Sequence, residues 1–318
     1  MNTKLNLLCP LLALLLAAGC AQPKSTITAP PVASSLEAGV QNSAAQQPNT
    51  RMRCLFYDSS QLEGGIQNAP LYQAEGDLTS GMIPHHLLAA DMIAGFFELA
   101  AEQQPYDAVL IVSPSHFGQN CQSMVTTATK GWQTPFGLID VDEELARALL
   151  DNTTIAAEDN PNAVELDHGG AGLVPLVARY LPDTPVTVCL LSNRLSRERL
   201  EAVRQVIAQL RQERRILLVV SADCSHYLQP QEAHRRDEDT ISAIEGLDLE
   251  KILSYTDANI DSPQAVSLLL DAAGEADTTL TLLDHSASNS KLPHGPQNPI
   301  YFEGVTSYLV YAVTKNTP

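Results

Sequence analysis

The 318-residue chain is 44% hydrophobic, 18% charged and 5% aromatic, which is enough apolar material for one large domain or two small ones. Its 37 Asp and Glu outnumber 19 Lys and Arg, for a formal net charge of −18. So acidic a chain repels phosphate backbones, which excludes nucleic acid as a partner; beyond that, the charge speaks only for solubility.

The first 20 residues set the expected compartment. Lys4 supplies a positive start, and Leu5 to Leu16 form an apolar stretch too short to span a bilayer with margin. Leu16-Ala-Ala-Gly-Cys20 follows and resembles a bacterial lipobox, whose cysteine is lipidated and becomes the first residue of the mature chain. Residues 1–20 are therefore expected to be a lipoprotein signal peptide with Cys20 as the lipidation site; an ordinary signal peptide is the alternative. Residues 21–50 are rich in Pro, Ser, Ala, Gln and Asn without apolar periodicity, and read as a disordered tether. Such a tether reaches about 30 Å. The folded body, 51–318, would then be lipid-anchored to a membrane of the bacterial cell envelope, facing the periplasm. Cys54, Cys121, Cys189 and Cys224 remain in it, none in a C-x-x-C pair, which gives no support to zinc ribbons or thioredoxin-type chemistry. Their spacing does not decide a disulfide pairing.

From Arg51 onward, strands alternate with helical patterns. Ala108–Val112, Val186–Leu191 and Ile216–Val220 are short apolar runs suited to strands buried on both faces. Leu87–Leu99, Glu143–Leu150, Leu173–Tyr180 and Arg197–Leu210 carry apolar residues at helical spacing. Thr278–Leu283 and Val305–Val313 look like closing strands. This alternation predicts a single α/β domain around a mostly parallel sheet. Trp132 reads as a residue packed under a turn or lining a cleft, and the acidic stretch Asp237–Asp239 as a solvated helix face.

Ligands of open α/β sheets gather at the carboxyl ends of strands, and there the histidines recur. His85 and His86 follow Met82-Ile83-Pro84, His116 follows Val112-Ser-Pro-Ser, His226 ends the run from Ile216, and His168 opens a helical stretch. Each alone is an ordinary structural histidine; together at parallel strand ends they converge. Two neutral imidazoles with one oxygen or anionic ligand suit Fe(II), Cu or Zn, and a further histidine can serve as general acid or base. No G-x-S-x-G elbow, no P-loop and no H-E-x-x-H helix is present. Gly64-Gly65 and Gly169-Gly170 read as ordinary turn or helix-entry glycines.

"MIPHHLLA" (82–89), "IVSPSHFG" (111–118), "GWQTPFGLIDVD" (131–142), "ELDHGGAGLVPLVARYLP" (165–182) and "VVSADCSHY" (219–227) occur in an order that resembles the Memo family, also called AmmeMemoRadiSam system protein B. The resemblance covers essentially the whole folded body. It implies a fold similar to the class III extradiol (LigB-like) dioxygenases, which hold a non-haem iron by two histidines and a carboxylate. Carried over motif by motif, it makes His85 and His116 metal ligands, matches His168 to the family's third histidine and gives Ser225 the variable third ligand position; His168, Asp223 and His226 are the candidate catalytic residues, Asp223 and His226 by orienting the ligands around them. The element that usually reads E-H-S-x-E is Asp167-His168-Gly169-Gly170-Ala171 here, so its inner glutamate is absent, and Cys224 replaces the usual aromatic. With so weak a ligand as Ser225, the site would be two histidines completed by water; strand alternation would turn Cys224 into the apolar layer behind. The resulting expectation is a mononuclear metal site, iron or copper favoured over zinc, in an oxidoreductase by fold analogy. A metal- or peptide-binding protein without turnover and a zinc hydrolase are the alternatives, and the ligand is an unknown small molecule or peptide.

Overall fold

The apolar runs form the middle of a sheet because aliphatic, often β-branched side chains stand at nearly every position and neither face is left for water. The computed structural model describes residues 51–103, 105–292 and 304–316, which belong to one compact unit; the lipobox and tether lie outside the described residues. In chain order the strands are β1 (Met52–Arg53), β2 (Asp77–Ile83), β3 (Ala108–Pro114), β4 (Val125–Thr127), β5 (Trp132–Thr134), β6 (Gly137–Ile139), β7 (Glu158–Asp159), β8 (Val186–Leu191), β9 (Ile216–Ser221), β10 (Cys224–Leu228), β11 (Thr278–Ala287) and β12 (Val305–Lys315).

A nine-stranded sheet runs β10-β12-β2-β9-β3-β8-β4-β7, with β11 on the opposite edge of β12. β2, β9, β3 and β8 are mutually parallel. Around them β12 pairs antiparallel with β2, β10 and β11, and β4 antiparallel with β8. The sheet is thus parallel at its centre and antiparallel where β12 and β4 join it, with β7 parallel to β4 at the far edge.

Alternation along β3 builds three layers. Val109 and Ile111 join Phe96 and Leu99 of the helix Ala90–Ala101 and Val174 and Val177 of the helix Val174–Tyr180. Leu110 and Val112 face the other way, onto Val203 and Ile207 of Arg197–Glu213 and Val266 and Leu269 of Pro263–Ala273. Each such fully buried side chain stabilises the fold by about 1.5–3 kcal/mol before entropy is counted. Trp132 is fully buried beneath the small sheet β1-β5-β6 and lines no cleft among those described. Cys54, Cys121, Cys189 and Cys224 are unpaired, and no helix among the described residues is long and apolar enough to cross a membrane.

Register fixes where the chemistry can gather. Ile83 pairs with Ser221, and Val112 with both Val220 and Cys189, so the carboxyl ends of β2, β9, β3 and β8 lie level. His85, His116 and Asp223 stand two residues beyond the ends of β2, β3 and β9.

Candidate metal centre

His85 leaves the core strand β2 through Pro84 and is itself buried. Ser221 Oγ donates to the carbonyl of Gly169 at 2.5 Å, so its contact with His85 Nδ1 at 3.0 Å has the ring as donor. That fixes the tautomer and leaves the Nε2 lone pair free, as a metal ligand requires. Burial pushes the proton affinity of His85 down to about 3, with Asp261 pulling the other way, so the imidazole is neutral at any working pH.

His116 is held in the same sense by a different device. Asp167 Oδ1 lies 2.8 Å from His116 Nδ1, and Oδ2 accepts the His116 backbone N–H at 2.7 Å. Asp167 also caps the short helix His168–Ala171 through Gly169 N–H. The next residues must be glycine: a Cβ on Gly169 would lie 2.7 Å from His116 Cε1 and 2.3 Å from Ser113 Oγ, and one on Gly170 2.4 Å from Val188 Cγ1. Gly169-Gly170 are close-approach glycines rather than ordinary helix-entry ones. They let His168 stack beside His116, ring centroids 4.0 Å apart, with His85 4.8 Å from His116 and 5.4 Å from His168. Burial opposes a charge on His116, yet Asp167 and Asp261 outweigh it and carry the imidazole up to about 10. Burial and the neighbouring His116 lower the proton affinity of His168.

The third component is Asp261. After β9 the chain turns, and Asp223 to His226 is stapled along a second segment. Asp261 N–H donates to Asp223 O at 3.1 Å, Ser225 N–H to Asn259 O at 3.0 Å and His226 N–H to Asp257 O at 2.9 Å. Asp261 Oδ1 accepts from Asp223 N–H at 3.2 Å. Its Oδ2 is buried with no hydrogen-bond partner, 3.3 Å from His85 Nε2 and 3.8 Å from His116 Nε2. With His85 neutral and His116 protonated in the metal-free protein, this oxygen faces one imidazole lone pair and one imidazolium, and a divalent cation displacing the His116 proton would meet two ring nitrogens and one carboxylate oxygen. The donor set fits a divalent transition metal: two imidazoles and one carboxylate. His85, His116 and His168 form one group of ligand atoms within 4.8 Å of one another, and His85, Asp223 and Asp261 another. The three donors face a cavity of about 450 Å³ that is also lined by His86, His168, Asn193, Asp223, His226 and Tyr227.

The sequence matches the family model described as Memo-like protein over residues 71–294. The chain belongs to this family. A MEMO1 family protein of Nitrosopumilus maritimus is 25% identical over 231 residues, covering 72% of this chain and 79% of its own. A second, from Pyrobaculum aerophilum, is 27% identical over 220 residues, covering 67% and 78%. An uncharacterized Escherichia coli K12 protein of known structure aligns with TM-score 0.49 and 15% identity over 73% of this chain and 99% of that one. The mixed α/β architecture of this Memo-family chain is consistent with the dioxygenase-like fold its motifs imply.

Within this family frame the structure brings His85, His116, His168, Asp223 and His226 to one cavity and leaves Ser225 out of it. Ser225 Oγ donates to Asp237 Oδ1 at 2.7 Å, deep behind the strand, so it is not placed as the third ligand. Alternation does not carry from Asp223 to Ser225 because β9 ends at Ser221 and β10 begins at Cys224, with Asp223 in the turn between them; further on, β10 is irregular between Cys224 and Leu228, with Tyr227 at φ +56°. Gly304, at φ +103°, makes room for it: a Cβ there would lie 2.5 Å from the Tyr227 carbonyl carbon. Cys224 lies buried in the apolar layer, which pushes its thiol up. Asp223 Oδ1 accepts from His85 N–H at 3.0 Å, and its other oxygen lies 3.7 Å from His85 Nε2, so it orients that ligand. Asp237, read as solvated, is instead buried, accepting from Ser225 and Ser307 and pairing with His285 Nε2 at 2.9 Å. Sequence reasoning missed Asp167 and Asp261. Asp167 was adjacent to a quoted histidine; Asp261, before Ser262-Pro263, carries the ordinary signal of a helix entry.

Proposed function

We propose that this Memo-family chain holds one metal ion through His85 Nε2, His116 Nε2 and the Asp261 carboxylate, and acts on a small molecule bound in the adjoining cavity as an oxidoreductase. The observation that carries this reading is Asp261 Oδ2, buried and unpartnered between two imidazole nitrogens. Two histidines and one carboxylate favour Fe(II) among the candidate metals, with copper next. When bound, such an ion supplies Lewis-acid and redox chemistry. The chain's own residues do the rest. Ser221 and Asp167 hold the two rings in the ligating tautomer. His168 makes no ring hydrogen bond among the described residues, and its lowered proton affinity leaves it neutral and able to take a proton from a bound hydroxyl. His226 Nδ1, buried without a partner, offers a hydrogen bond to the same ligand.

A zinc hydrolase could use the same donors with His168 as base. Metal analysis of protein purified without a metal-capturing tag separates the readings: iron or copper at about one per chain supports redox chemistry, zinc supports hydrolysis, and no metal overturns the centre. We propose further that Cys20 anchors the chain to a cell-envelope membrane, on the strength of the sequence Leu16 to Cys20 and the polar stretch after it. Cys20→Ser should move the protein to the soluble fraction and abolish lipid labelling; a variant as firmly membrane-bound as the parent refutes the anchor.

A further inference from the structure

Asp237, buried on the helix Pro230–Glu245, holds one imidazole in a fixed orientation at the surface. Its Oδ1 accepts from Ser225 Oγ at 2.7 Å and from Ser307 Oγ at 2.6 Å. Its Oδ2 lies 2.9 Å from His285 Nε2, and a carboxylate only accepts, so the ring is the donor. The His285 lone pair is therefore on Nδ1, which has no hydrogen-bond partner among the described residues and is not enclosed, the side chain being 26% exposed. A buried carboxylate fixing one ring nitrogen while the other stays open is the usual support of a metal-binding histidine. His234 stands beside it, one turn before Asp237 on the same helix, with ring centroids 6.0 Å apart. His234 Nε2 lies 3.4 Å from Glu238 Oε1, an i,i+4 pair whose side chains are both 65% exposed. Nitrogen and oxygen ligands at about 2.1 Å around a tetrahedral ion stand about 3.4 Å from each other, the separation this pair already has. A hydrogen bond that only pinned β11 to the helix would need neither His234 nor Glu238. None of these residues lines the cavity at the strand ends.

We propose that His285 Nδ1, His234 Nε2 and Glu238 form a second binding site for a divalent transition ion, at the surface and separate from the strand-end centre. Two imidazoles and a carboxylate suit zinc and Cu(II), with Cu(II) the tighter. The rings of His234 and His285 lie within 8° of parallel, so the exposed His234 turns about its side-chain bonds to aim at an ion on His285, while Asp237 keeps His285 still. The bound ion clips the helix Pro230–Glu245 to β11, across the Ser225 and Ser307 contacts. Two exposed side chains lose freedom when it binds, so this site is weaker than an enclosed one.

The test uses the full chain without a polyhistidine tag, carrying His116→Ala to disable the strand-end centre, and titrates zinc and Cu(II) against a chromophoric chelator. The variant should retain one ion per chain. Adding His234→Ala should weaken that binding about tenfold or more, and so should adding His285→Gln, which keeps a donor for Asp237. His234→Ala is an exposed change and should leave the metal-free protein melting within about 2 °C of its parent. No retained ion in His116→Ala, or a retained ion whose affinity changes less than about twofold with both added substitutions, overturns the second site. The two sites fail separately. A single ion that His116→Ala leaves in place and His234→Ala removes would overturn the strand-end centre and support this one.

Discussion

Replacing Asp261 by Asn isolates the negative charge of the proposed third ligand. The amide oxygen can keep the hydrogen bond that Oδ1 accepts from Asp223 N–H at 3.2 Å, so the staple between the two segments survives. What changes is the oxygen lying 3.3 Å and 3.8 Å from the two imidazole nitrogens. At an effective dielectric of about 20, a unit charge about 4 Å from a divalent ion is attracted by about 8 kcal/mol. Returning a buried carboxylate to water recovers part of that. Taking half as the net loss gives about 4 kcal/mol, or roughly a thousandfold in metal Kd. Competition against a chromophoric chelator, with zinc and with anaerobic Fe(II), measures it directly. The metal-free variant should melt within about 4 °C of the parent, because the backbone contact is kept. An Asn variant that keeps the parental Kd within about threefold, while His116→Ala loses binding, would mean that Asp261 is no ligand. Ser225 is the internal control. Ser225→Ala should leave metal affinity unchanged and cost about 1–2 kcal/mol of stability through the donor lost to buried Asp237. Ser225→Cys should bind copper or zinc no more tightly than the parent, since that position faces Asp237.

Gly169→Ala should cost about 2 kcal/mol or more in stability and weaken metal binding, because the added Cβ meets Ser113 Oγ at 2.3 Å and His116 Cε1 at 2.7 Å; unchanged melting and titration curves would refute the close-approach argument. Metal affinity should rise about tenfold per pH unit below pH 9, since His116, carried up to about 10, must release a proton to bind; a flat profile would show that His116 is not a ligand. In the metal-free protein the two imidazoles act in opposite directions. His116 is raised from its unfolded value near 6.5, so its contribution is full below about pH 6.5 and is lost as pH climbs toward about 10. His85 is lowered to about 3, so its contribution is full above about pH 6.5 and is lost as pH falls toward about 3. Melting temperatures of the apoprotein against pH should therefore fall on both sides of about pH 6.5, and become flatter on the alkaline side in His116→Ala.

The parallel centre of the sheet was legible because β3, β8 and β9 are mostly apolar and end in polar turns, and the histidines after β2, β3 and β9 announced the site. The proposed third ligand, Asp261, was not legible. Asp261 reaches the centre because residues 257–261 pair with 223–226, a contact no local pattern encodes. Ser225 was misplaced for a related reason. Its orientation was inferred from period-two alternation through one continuous strand, but the strand ends at Ser221 and a new one starts at Cys224, a turn that the uniform run of the sequence does not announce. Asp237 looked solvated because Arg235, Arg236, Glu238 and Asp239 surround it in sequence; only the helix face that meets Ser225 and Ser307 distinguishes it.

One residue, Gly169, ties His85 and His116 together through both of its backbone polar groups. Gly169 O accepts the Ser221 hydroxyl that fixes His85, and Gly169 N–H donates to the Asp167 carboxylate that fixes His116. Its Cα side packs where any side chain would strike the His116 ring. The strands bring the two imidazoles to one level, but strand ends alone leave ring rotation free. The four-residue helix at His168–Ala171 removes that freedom, locking both rings with Nδ1 inward and Nε2 toward Asp261. Its small glycine surface also lets His168 lie against His116. A serine at position 169, as the usual E-H-S-x-E pattern has it, would need more space than Ser113 and His116 leave here. The departure from that pattern at Gly169 is thus the steric condition for the particular packing of three histidines that this chain adopts.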